Sequence, residues 1–119
     1  MFEIPAVLEA LGLRPLNPGA CAGAGDAWSA AEEAQAFDAV NPSSGEVTAR
    51  VSAASAQDLE RIVAGAHAAQ LRWRMVPPPV RGELVMRIGE LVKQHHELLG
   101  RLVSIDTGKS VMEGKAEVK

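Results

Sequence analysis

A few short stretches of this 119-residue chain carry residue types that can do chemistry. Cys21 is the single thiol. A cysteine becomes a nucleophile when a neighbouring base or cation lowers its pKa, and no histidine lies close to it in sequence. Gly23-Ala24-Gly25 opens like a dinucleotide-binding loop. The third glycine of G-x-G-x-x-G would fall at position 28, which is Trp28, and Pro18 to Ala22 do not form the preceding strand that the motif requires. His95-His96-Glu97 suggests a metal site. Adjacent helical residues point about 100° apart, so two neighbouring imidazoles do not converge on one ion; the metalloprotease spacing is i, i+4. His67 stands alone. Gly108-Lys109-Ser110 reads like the end of a phosphate-binding P-loop, but the glycine needed five residues earlier is Val103. Without it the backbone nest that cradles phosphate is missing. The sequence therefore assigns no catalytic, cofactor-binding or metal-ligating residue to this chain.

The elements that would position such groups are easier to read. The organising stretch is Pro77 to Lys109. Leu84, Val85, Ile88, Leu91, Val92, Leu98, Leu99, Leu102 and Val103 repeat with the helical period and make one apolar face. A helix over about 79–104 would be about 39 Å long, and a break near His95-His96 is expected. Gly108 is its natural stop. Ser110-Val111-Met112-Glu113 has capping-box form and starts a helix over 110–119. Ser55-Ala56-Gln57-Asp58 likewise opens a helix over about 55–73, striped by Leu59, Ile62, Val63, Ala66, Ala69 and Trp73 and ended by Pro77-Pro78-Pro79. Residues 36–52 read as a β-hairpin around Asn41-Pro42-Ser43-Ser44-Gly45-Glu46. A short helix is expected over 4–13, and 15–36 reads as a wrapping loop that Trp28 could anchor.

The expected organisation is an N-terminal helix and wrapping loop, 1–35, followed by a unit over 36–119. The fold class is a helix-rich α+β fragment: a β-hairpin plus three to four amphipathic helices. Net charge is −3, from 12 basic and 15 acidic residues, which argues against a nucleic-acid surface. Aromatics make up only 3%. No apolar run approaches the ~20 residues that span a bilayer, and the first residues lack the basic region of a secretory signal. One cysteine and no signal make a reducing cytoplasm the default location. The helix at 110–119 is still running at Lys119, as expected of a piece cut from a larger domain.

FDAVNPSSGEVTARVSAAS, AAQLRWR, VPPPVRGELVMRIGELV and VSIDTGKSVMEGKAEV occur here in that order and spacing. The chain resembles the N-terminal part of the aldehyde dehydrogenase superfamily over residues 8 to 119. LGL…LNPGA and LVS-x-x-x-GK-x-x-x-EG-x-x-EV are most similar to its antiquitin branch, the α-aminoadipic semialdehyde dehydrogenases of lysine catabolism. The resemblance implies an N-terminal piece of the α/β aldehyde dehydrogenase fold, with 36–119 an incomplete part of the cofactor-binding domain. It implies a parent oxidoreductase that oxidises an aldehyde with NAD or NADP through a cysteine thiolate and a glutamate-activated water. None of that machinery transfers to a residue here, because its motifs lie downstream of Val118-Lys119. Cys21 is not at the nucleophile's motif, and no cofactor is expected to bind this chain alone. Val40 and Asp106 resemble positions that line a structural cation site in some relatives, a site needing further groups from elsewhere. The expected partner is the rest of the parent enzyme, or a homo-oligomer partner, covering the apolar helix faces. The alternative is a stand-alone helical interaction module without enzymatic activity.

Overall fold

The computed structural model describes residues 3–23 and 27–119. In chain order it contains helix α1 (Ile4–Ala10), strand β1 (Leu16–Pro18), a 3-10 turn (Glu33–Gln35), strands β2 (Ala36–Val40) and β3 (Val47–Ser52), and helices α2 (Ala56–Trp73), α3 (Pro78–Thr107) and α4 (Val111–Val118). The helix-rich α+β class is observed.

The hairpin forms as its turn residues dictate. Asn41 Oδ1 accepts from the Ser43 N–H at 2.9 Å, and Gly45 takes φ 74°. Phe37 pairs with Val51 and Ala39 with Ala49, with a bulge between Ala39 and Val40. The expected loop over 15–36 is a correction. Leu16–Pro18 adds a third strand, parallel to β3, and gives the order β1-β3-β2. The Pro15 carbonyl accepts the Arg50 N–H at 2.8 Å, and Pro18 is tolerated because β1 is an edge strand. Gly19 then passes so close to β3 that a Cβ there would lie 2.1 Å from the Ser52 carbonyl oxygen. Trp28 does not anchor this segment. Its backbone bridges to Cys21, but the residue is 55% exposed.

α1 is shorter than expected and ends at Ala10, because Gly12 at φ 69° turns the chain two residues later. α2 begins where its cap predicts: the Ser55 hydroxyl accepts the Asp58 N–H at 3.0 Å, and the Asp58 carboxylate accepts the Ser55 N–H at 3.2 Å. α3 corrects the expected break at His95-His96. It runs unbroken for 30 residues, about 45 Å at 1.5 Å per residue. Sharp kinks come from proline, an inserted group or a local π-bulge. Here His96 Nδ1 sits 3.0 Å from the Lys93 carbonyl oxygen, on the outside of the helix. Gly108, at φ 75°, closes α3 and donates its N–H to Ser104 O at 3.0 Å.

The long apolar stripe divides. Leu98, Leu99, Leu102 and Val103 are half-buried and Ile105 is 4% exposed, whereas Leu84, Val85, Ile88 and Leu91 stay exposed. The C-terminal half of α3 packs against α4 and α1. Among the described residues the core is small: Val7, Ala20 and Ile105 are its buried apolar residues, joined by buried Ser52. No residue of α2 is buried. No helix among the described residues is long and apolar enough to cross a membrane.

Candidate functional site

The most built part of the molecule is the crossing of α3 and α4. Gly100 and Gly114 face each other there, and both are buried. A Cβ on Gly114 would lie 2.3 Å from the Gly100 carbonyl oxygen and 2.5 Å from Ser104 Oγ; one on Gly100 would lie 2.7 Å from Lys115 Cα. The two backbones touch because both residues lack a side chain. Ser104 spans the contact, its hydroxyl within 3.0 Å of Gly100 O and 3.1 Å of Ser110 O. The Lys115 ammonium meets Glu97 Oε2 at 2.5 Å, and His96 Nε2 lies 3.3 Å from Glu97 Oε1. Lys115 beside it holds the Glu97 carboxyl below the usual glutamate range.

This geometry accounts for two of the chemical motifs. The Gly-Lys-Ser triplet is a corner between helices. Gly108 is the left-handed cap, Lys109 pairs with Glu117, and Ser110 is the N-cap of α4. Glu113 Oε2 already takes the Ser110 N–H at 3.0 Å and its hydroxyl at 2.7 Å, so a carboxylate sits where a phosphate would have to bind. The Ser110 hydrogen bonds lower the Glu113 pKa. In His95-His96-Glu97, one imidazole is exposed and the other joins the clasp between α3 and α4. His67 is exposed on α2.

Cys21 Sγ donates to the Gly23 carbonyl at 2.7 Å, and the residue is half-buried. Ala24 and Gly25 of the glycine-rich loop lie outside the described residues. Asp106 lines a cleft of about 400 Å³ between the sheet and the end of α3, together with Ala39, Thr48 and Asn17. Its polar walls are largely used locally: Thr48 Oγ1 donates to Ala39 O at 2.9 Å, and Asn17 Nδ2 donates to Arg14 O at 2.6 Å. Val40, on β2, is 43% exposed. Among the described residues no three of His, Cys, Asp or Glu are grouped to hold a metal. The structure thus brings together helices and a hairpin rather than a nucleophile and a base. Sequence reading missed the Glu97–Lys115 clasp and the glycine crossing. The visible signal for the latter was small residues at i, i+4 on α3, Gly100 and Ser104, with Gly114 on the next helix.

Comparison with known proteins identifies what such an arrangement belongs to. Residues 28–119 match the Aldehyde dehydrogenase family. The chain is 39% identical over 114 residues to alpha-aminoadipic semialdehyde dehydrogenase of Rattus norvegicus, covering 96% of this chain and 20% of that protein. It is 37% identical over 95 residues to malonate-semialdehyde dehydrogenase 2 of Bacillus mycoides, covering 80% of this chain and 20% of that protein. Its backbone superimposes on betaine aldehyde dehydrogenase of Staphylococcus aureus, solved in complex with NAD+, with a TM-score of 0.80 at 29% identity, over 97% of this chain and 22% of the other. The chain belongs to the aldehyde dehydrogenase family. It spans about a fifth of the length of the curated relatives it matches.

Proposed function

We propose that this chain serves as a structural segment of an NAD(P)-dependent aldehyde dehydrogenase and is inactive alone. The parent reaction is oxidation of an aldehyde to its acid. α-Aminoadipic semialdehyde is the candidate substrate and lysine catabolism the candidate context, on the strength of the likeness to the rat enzyme. In this reading 36–119 is an incomplete part of the cofactor-binding domain, 1–35 is the helix and wrap that precede it, and the setting is cytoplasmic. The observation that carries the reading is the family match over residues 28–119 by a chain whose best-built feature is a packing contact, not a reactive pair. Among the described residues the Cys21 thiol donates to a backbone carbonyl, which gives no help in deprotonating it.

A covalent graft tests this. The chain replaces the matching segment of the rat enzyme, and aldehyde-dependent NAD(P) reduction is measured for the graft and for the isolated chain. The expected result is turnover by the graft and none by the chain alone. A graft that folds but does not turn over overturns the reading. The alternative, a stand-alone interaction module, is favoured by one observation: the apolar faces of α2 and the first half of α3 are exposed. It requires a defined complex with a protein outside this family.

A further inference from the structure

Helix α4 is fastened to α3 by charges more than by buried side chains. Its buried residue is Gly114, which has no side chain to contribute; Met112 is 79% exposed, and Val111 and Val118 are half-buried. The close backbone approach of Gly100 and Gly114 fits the helices together but takes little apolar area out of water. The fastening is polar. Lys115 lies over Gly100 and its ammonium reaches Glu97 Oε2 at 2.5 Å. Glu113 takes the Ser110 N–H at 3.0 Å and so caps the start of α4. Lys109, at the corner, pairs with Glu117.

Glu97 is a shared anion. Lys115 comes to it from α4, while His96 Nε2 lies 3.3 Å from its other oxygen and the Arg101 charge also acts on it from α3. Removing its charge takes the counter-charge from Lys115 and Arg101 together. Two contacts of this crossing do not titrate. The Ser104 hydroxyl holds Ser110 O at 3.1 Å, and Gly108, at φ 75°, turns the chain. Both hold the corner between the helices rather than the body of α4.

We infer that α4 is an acid-released flap: protonation of Glu97 and Glu113 lets it leave α3 by turning at the Gly108–Lys109 corner, while the packing around Ile105 stays closed. The sign follows from the two carboxylates. Lys115 and Ser110 respectively hold them below the usual glutamate range. Their contribution is complete above the unfolded value of 4.5 and is lost as pH falls through the folded values. Contacts and caps of this kind shift an opening equilibrium by roughly two- to fivefold each. Losing both together releases α4 about tenfold.

Amide hydrogen exchange of the full 119-residue chain at pH 7 and pH 3.5, corrected for the intrinsic rate at each pH, tests this. The expected result is that protection over 114–118 falls on acidification about tenfold further than protection at Leu102, Val103 and Ile105. At pH 7, Glu97→Lys loosens α4 without loosening Ile105, and adding Lys115→Glu restores its protection by re-forming the pair with the charges exchanged. Equal loss of protection in α4 and the second half of α3 overturns the inference, as does an α4 that keeps its protection at pH 3.5. A Glu97→Lys effect that Lys115→Glu does not relieve also overturns it. The wild-type pH comparison decides the matter if a variant does not fold.

Discussion

Replacing Gly114 by alanine is expected to destabilise the chain, although the same change elsewhere in its helices should stabilise it. In an open helix interior, Gly→Ala gains up to about 1 kcal/mol from backbone entropy. Gly82 and Gly89 on α3 have nothing within 4 Å of an added Cβ, so Gly82→Ala and Gly89→Ala should show that gain. At Gly114 the added carbon would sit 2.3 Å from the Gly100 carbonyl oxygen, with ordinary contact beginning at 3.4 Å. Backbone cannot yield as a flexible side chain does, so α3 and α4 must part by about 1 Å, which costs typically 1–3 kcal/mol in a packed contact. The separation also strains the Ser104 hydrogen bonds to Gly100 O and Ser110 O, worth about 1 kcal/mol each. Set against the propensity gain, the net loss is about 1–3 kcal/mol. Urea unfolding followed by far-UV circular dichroism reads the difference, with the exchange rates of the α4 amides as a local probe. A Gly114→Ala variant whose midpoint rises alongside that of Gly82→Ala would refute the close crossing.

Other outcomes follow from the same structure. Gly19→Ala should detach β1 from β3, because its Cβ would meet the Ser52 carbonyl oxygen at 2.1 Å; faster exchange of the Arg50 N–H, now held by Pro15 O, reports it. Ser55→Ala and Ser110→Ala should each cost about 1 kcal/mol by removing a helix cap, visible as fraying of α2 and α4 respectively in amide exchange. Asp58, Glu113 and Glu97 all have lowered pKa values, through hydrogen bonds from Ser55, Ser110 and Lys115 in turn. A carboxylate with a depressed folded-state pKa contributes stability above its unfolded value, 3.8 for Asp58 and 4.5 for the glutamates, and loses it as pH falls through the folded value. The urea midpoint should therefore be flat near neutrality and drop on acidification below about pH 4.5, and Glu113→Gln should flatten that drop. A midpoint that rises on acidification would contradict the caps.

Locally coded features were legible in the sequence. Both capping boxes sit where Ser55 and Ser110 place them, the hairpin turns on Asn41 and Gly45, and Gly108 ends α3. What could not be read is set by contacts between distant residues. β1 is three residues flanked by proline, and its pairing with Arg50–Ser52 is written in neither segment alone. α3 continues through His95-His96 because helix length alone breaks nothing where no proline or inserted group interrupts the backbone ladder. The apolar stripe was correctly placed on one helical face, but periodicity says only that a face is suited to burial. α4 and α1 cover the second half, and the first stays exposed among the described residues. The site followed the same pattern: spacing was enough to remove the phosphate loop and the histidine pair, whereas the glycine crossing needed two helices to meet.

The most direct test of the central claim is aldehyde-dependent NAD(P) reduction by the rat enzyme carrying this chain in place of its matching segment, beside the isolated chain and its Cys21→Ala variant. The account predicts turnover by the graft and none by the isolated chain. Turnover by the isolated chain that survives Cys21→Ala, or a folded graft without activity, would contradict it.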